Sequence, residues 1–284
     1  MGCGCGSISE RPVRVTLAAA HVAMACAIAA SAVSPPQNQP DFQLLPGDCT
    51  VYPLCQPGRQ AKPWTEAEER MVADALSEVR RSFRGRAAIQ SVKRLGITSI
   101  RRYDVGADNE GHLQPTQMAS YSRRGRFLEV DDRFLSYGPY RDTRSGFSLT
   151  AEILLHEMFH VIDDNGMRFS STEEFKRALG LEERPDHLLW PSDLGAEKIA
   201  EHDAAARESA RLTSAGEFGR AWDRRRDFAM PLGLPTMRAF ARWDEAFAEI
   251  GAHMVLDWTA SAYLKKSVMD YFGERVFEQL GSLH

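Results

Sequence analysis

LLHEMFHVIDD, residues 154–164, is the stretch from which both the fold and the chemistry of this chain are read. Ile153, Leu154, Leu155, Met158, Phe159, Val161 and Ile162 surround its polar residues with apolar ones, a pattern that predicts a helix set into a core. Ser148 or Thr150 can cap its start, and Asn165-Gly166 marks its stop. On such a helix His156 and His160 share one face about 6 Å apart along the axis, so their imidazoles can converge on one Zn²⁺ at about 2.1 Å. Glu157 is rotated about 100° from His156, which sets its carboxylate beside the open coordination position. There it can take a proton from a zinc-activated water and act as general base. Histidines merely hydrogen-bonded in a core or on a surface are the alternative. Against it, sealing two imidazoles and a carboxylate into apolar surroundings without a partner is costly.

A catalytic zinc ordinarily has three protein ligands, so a third must come from elsewhere. The metzincin arrangement would need Gly and His where this chain has Asp163 and Gly166. Asp163 and Asp164 lie about 10 to 12 Å beyond His156 along the same helix. They are therefore expected to support His160 rather than to bind metal, with a plain acidic helix end as the alternative. Downstream, Asp244-Glu245-Ala246-Phe247-Ala248-Glu249 puts two glutamates on one helical face beside Ala241, Ala248, Gly251 and Ala252. Those small residues let another helix approach closely. Glu245 is the expected zinc ligand, with Glu249 orienting a ligand histidine through its other ring nitrogen. A solvated acidic face is the competing reading, and Glu249, Glu201 and His202 are competing ligands.

Working outward, Thr65-Glu66-Ala67-Glu68 is a capping box, and Met71, Val72, Leu76, Val79 and Phe83 predict a helix to about residue 83. Residues 97–103 and 127–131 read as strands, with a Gly- and Asp-rich turn or loop over 104–112. Helices are expected at about 172–179, 193–212, 215–229, 236–257 and 260–280, with capping boxes at Ser171–Glu174 and Ser214–Glu217. A small strand region followed by helices predicts an α+β fold.

The chain has 284 residues, 43% hydrophobic and 26% charged, with net charge −4, which argues against a nucleic-acid-binding body. Arg11 and Arg14 precede the apolar run of residues 15–30, and Ala30-Ser31-Ala32 offers small residues at signal-peptidase spacing, so residues 1–32 are expected to be a cleavable export signal. An acylated Gly2 beside Cys3 and Cys5, or a lipoprotein signal ending at Cys26, are the rivals. Residues 33–63 are Pro-rich and read as an arm. Cys49 and Cys55 are the pair left after the signal, and an exported chain is expected to bridge them. The remaining 64–284 is the expected catalytic domain. No membrane span is expected in the mature chain, which would be secreted or periplasmic, or in the acylated alternative delivered into a host cell.

The motif at 154–164 together with EAFAEIGAHM at 245–254 resembles the gluzincin-type zincins related to the anthrax lethal factor catalytic domain and the Pro-Pro endopeptidases. The resemblance covers roughly residues 118–280. It implies a zincin fold, one Zn²⁺ per chain, ligands His156, His160 and Glu245, the base Glu157, a supporting Glu249, and a peptide or protein substrate. It also implies a helical insertion between the two metal-binding helices, since residues 160–245 are longer than the family's usual connection. Zincin substrates commonly lie along an edge strand, for which 127–130 is the candidate. One departure stands out: the family's oxyanion-stabilising Tyr, seven residues before the ligand Glu, is Arg238 here. Tyr137, Tyr140, His202 and Tyr263 are candidate replacements. A zinc-binding pseudo-protease or interaction module is therefore the alternative to a zinc endopeptidase.

Overall fold

Thr65, Ser82 and Ser148 each accept a hydrogen bond from the backbone N–H three residues on, and these caps start the helices that carry the rest of the fold. The computed structural model describes residues 41–47, 60–104, 119–123, 125–166 and 168–282, all within one compact unit, Pro40–His284. The first half holds β1 (Gln43–Pro46), β2 (Gln60–Ala61), α1 (Glu66–Arg80), α2 (Phe83–Arg94), β3 (Ser99–Asp104), β4 (Ala119–Ser122), β5 (Phe127–Asp131) and α3 (Asp132–Ser136). Then come α4 (Leu149–Asn165), α5 (Glu173–Leu179), a small hairpin of β6 (Glu182–Glu183) and β7 (Leu189–Trp190), α6 (Ala196–Ser214) and α7 (Phe218–Ala229). A 3-10 turn (Met237–Phe240) leads into α8 (Trp243–Leu256), and α9 (Lys266–Tyr271) runs through a π-helical stretch (Phe272–Phe277) into α10 (Glu278–Ser282). The fold is α+β, as expected. The export signal, Cys49, Cys55 and nearly all of the 104–112 loop lie outside the described residues.

The main sheet has the order β1-β3-β5-β4, with β1, β3 and β5 parallel, β4 antiparallel to β5, and β2 antiparallel to one end of β3. This corrects two expectations. Part of the supposed arm is sheet: Gln43–Pro46 pairs with β3, and Phe42 is buried. Phe127–Val130 is not an edge strand either, because β5 pairs on both sides and all five of its residues are buried. Among the described residues the edge next to it is β4, whose sequence ASYS has little of the β-branched and aromatic content that marks a strand.

Several helix boundaries also differ. The first helix ends at Arg80, and Ser82 starts α2 at a corner so tight that a Cβ on Gly85 would meet the Val79 carbonyl oxygen at 1.9 Å. Thr172 rather than Ser171 caps α5. Ser214 ends α6 and donates back to the Ala210 carbonyl, so α7 starts without a side-chain cap. The segment between α4 and α8 is largely helical.

Helix α4 is buried on nearly every side, packed on α1, α2 and β4 and, most extensively, on α8. The α8 contact depends on small residues: Ala248 and Ala252 are fully buried, and a Cβ on Gly251 would meet the Phe159 ring at 2.5 Å. That ring is wedged among Phe247, Phe272 and Phe277. Close approach of α4 and α8 is what brings the polar residues of the two helices together. Among the described residues, no helix is long and apolar enough to cross a membrane.

Candidate metal centre

Helix α4 presents Glu152, His156 and His160 at four-residue spacing, and α8 presents Glu245, Glu249 and His253 at the same spacing. Residues four apart stack on one helical face, so two antiparallel helices facing each other form a ladder of polar rungs inside an apolar interface. The outer rung is His160 with Glu245, the middle one joins His156 to both Glu245 and Glu249, and the inner one is Glu152 with Glu249 and His253. His160 and Glu245 keep 15% and 14% of their side-chain surface, while His156 keeps 2%, so the ladder opens at its outer end.

At that end His156 Nε2 lies 3.0 Å from His160 Nε2 and 3.2 Å from Glu245 Oε2, and His160 Nε2 lies 3.7 Å from Glu245 Oε1. Tetrahedral zinc with bonds of about 2.1 Å spaces its ligand atoms about 3.4 Å apart. The triangle of two imidazole nitrogens and one carboxylate therefore has the dimensions and donor chemistry of a three-ligand zinc site. His156 turns Nδ1 towards Glu249 Oε1 at 3.3 Å, an ion-pair distance without hydrogen-bond geometry, on the side where the partner of a ligand histidine ordinarily stands. Burial works against a charged His156, but Glu245 and Glu249 outweigh it and push the imidazole up to about 10. Burial likewise opposes the charge of Glu245, but His156, His160 and Arg238 outweigh it and hold its carboxylate far below the usual range.

Glu157 stands beside the two histidines, with one ligand atom from each of the three within 4.8 Å of the others. Its burial raises the carboxyl above its ordinary value, against the pull of His160, His156 and Arg238. A raised carboxyl next to an open coordination position is suited to carrying a proton. Arg238 lies across the mouth of the site: its Nε donates to Glu245 Oε2 at 2.7 Å, and its Nη2 is 3.9 Å from Glu157 Oε1. With 29% of its side chain exposed, Arg238 places a cation at the open end of the ladder. Thr236, which caps the 3-10 turn by accepting from Arg238 N–H, also donates to Glu249 Oε2 at 2.7 Å. One short turn thus positions both glutamates of α8.

Other expectations fail. Asp163 and Asp164 do not support His160: Asp163 accepts from the N–H and Oγ of Ser170, and Asp164 takes Nε of Arg123 at 2.6 Å. The helix end gives both carboxylates their hydrogen-bond donors, and His160 acts on Asp163 only as a weaker charge. Glu201 pairs with Lys198, and His202 packs on Trp190 and Phe228, so neither competes for the metal position. Among the proposed replacements for the missing tyrosine, Tyr137 packs at a tilt against Phe218, Tyr140 donates to the Gly216 carbonyl, and Tyr263 donates to Asp257. The residue at the mouth is Arg238 itself. Sequence reasoning also missed Glu152 and His253, although their spacing from His156 and Glu249 was open to view.

A cleft of about 470 Å³ lies between Tyr121 of β4, Asp163 and Asp164 at the end of α4, Arg168 beyond it, and Asp244, the neighbour of Glu245. Neither His160 nor Glu245 lines it; Asp244 is the lining residue next to the outer rung in sequence. No family model, curated protein or solved structure matches this chain.

Proposed function

We propose that the chain is a zinc-dependent endopeptidase, with His156, His160 and Glu245 holding the metal and Glu157 as general base. The observation that carries this reading is the triangle of two Nε2 atoms and one carboxylate at 3.0 to 3.7 Å. Zinc bound there would acidify a water and polarise a substrate carbonyl. Glu157 takes the proton of the attacking water and passes it to the amine as the peptide C–N bond breaks. Arg238, with its unshared N–H groups, is placed to donate to the carbonyl oxygen as that oxygen gains charge. The edge of β4 and the adjoining cleft offer backbone partners to an extended peptide.

Glu157→Gln should lower cleavage of a peptide library by about 10²- to 10⁴-fold while leaving zinc content unchanged, because Glu157 is not a ligand. Equal cleavage by the variant would end this assignment. One observation favours a second reading. Arg238 holds an oxygen that a metal ligand uses, which suits a zinc-binding module without catalysis. A chain that binds zinc and cleaves no member of a broad library would be that module. Export rests on residues 1–32, and sequencing of the mature N-terminus separates it from an acylated, host-acting form.

A further inference from the structure

The inner rung is sealed from solvent and contains acceptors that lack donors. Glu152, Glu249 and His253 are 2%, 2% and 0% exposed, and one ligand atom from each lies within 4.8 Å of the others. Tyr263 Oη donates to Asp257 Oδ2 at 3.0 Å, so its oxygen can accept from His253 Nδ1 at 3.2 Å. Asp257 is itself held by Arg226 at 2.6 Å. These contacts keep the proton of His253 on Nδ1 and leave Nε2 as a lone pair. Among the described residues, Nε2 of His253 and Oε1 of Glu152 have no hydrogen-bond partner. Buried acceptors of this kind are rare and costly.

The neighbouring cations are committed elsewhere: Arg226 to Asp142 and Asp257, Arg238 to Glu245. Thr236 serves Glu249 Oε2 alone. A single proton could satisfy one pair among these acceptors, whereas one cation satisfies all three. We propose that Glu152, Glu249 and His253 form a second, structural site for a divalent d-block cation, set between α4 and α8 behind His156. One imidazole with two carboxylates is a donor set for Zn²⁺, Mn²⁺ or Fe²⁺ rather than for Ca²⁺. The orientation of His253 by Tyr263 and Asp257 is the outer support such a ligand ordinarily has. With no open face, the ion enters as the two helices dock and exchanges slowly afterwards. This site shares Glu249 with the proposed catalytic centre but does not depend on it.

The test is the metal content of the full chain, purified without chelator from cells supplied with zinc, manganese and iron and measured by mass spectrometry. The native chain should hold two ions. Glu152→Gln, which preserves shape and polarity, should hold one, as should His253→Gln, while His160→Ala should lose the other ion and keep this one. A native chain with at most one ion, lost in His160→Ala and kept in Glu152→Gln, overturns the proposal and leaves the catalytic reading intact. A single ion lost in Glu152→Gln but kept in His160→Ala does the reverse.

Discussion

Gly251→Ala should destabilise the protein, although the same change in an exposed helix would stabilise it by about 1 kcal/mol. The sign is decided by Phe159. A Cβ on residue 251 would sit 2.5, 2.6 and 2.7 Å from three atoms of that ring, about 1 Å inside ordinary contact. Phe159 is fully buried and bounded by Phe247, Phe272 and Phe277, so the ring cannot swing aside. Helix α8 must move off α4 instead, and overpacking of this kind costs about 1 to 3 kcal/mol. Taking the upper end for so deep an overlap and subtracting the propensity gain leaves about 2 kcal/mol. For a domain of this size that lowers Tm by about 4 to 8 °C. Since Glu245 and Glu249 ride on α8, zinc affinity should fall with it. Calorimetry and a chelator-competition titration read the two effects. A raised Tm, or a lowered Tm with unchanged zinc affinity, would show that the helix contact does not set the geometry of the site.

Glu245→Ala removes a ligand worth on the order of 3 kcal/mol and should weaken zinc by more than about 100-fold, whereas Glu249→Ala should weaken it by about 10- to 100-fold. The reverse order in a chelator titration would move Glu245 out of the metal shell. Arg238→Ala should tighten zinc by about tenfold, because a charge-assisted bond of about 1.5 kcal/mol no longer competes for Glu245. Weaker zinc binding would make Arg238 a support of the site instead. Burial opposes the charges of Asp142 and Asp257, yet Arg226 helps hold both carboxyls below their ordinary range, where they contribute stability above about pH 4 and lose it as pH falls further. Arg226→Met should therefore cost about 3 to 5 kcal/mol near neutrality, and its deficit should shrink below about pH 4 as the stranded carboxyls protonate. A deficit constant with pH in urea titrations would refute that account.

The motif helix was legible because its signals are local. Ser148 caps it, Gly166 follows it, and its apolar surroundings match a helix buried on all sides. Strand β5 was equally plain from its own residues, but its place in the sheet was not, since Phe127–Asp131 would read the same at an edge or in the middle. Its neighbour β4 escaped because pairing, not composition, makes Ala119–Ser122 a strand. Four-residue spacing and small neighbours pointed to Glu245 and Glu249. Spacing could not show that Asp163 and Asp164 would find Ser170 and Arg123, because those partners depend on how the chain turns after Asn165. Arg238 was visible as a departure at one position, but its two carboxylate neighbours exist only in three dimensions.

The ladder between α4 and α8 divides the chain into parts that differ in their tolerance of insertion and deletion. Each rung depends on an unbroken four-residue step, and adding or removing one residue inside a helix rotates everything beyond it by about 100°. A single-codon change within 152–160 or 245–253 would thus scatter donors that now meet. The connection from Gly166 to Thr236 carries no rung, and closing a longer loop costs only about 0.6 kcal/mol per doubling. Relatives of this chain would accordingly be expected to vary widely in length between the two helices and not at all within them.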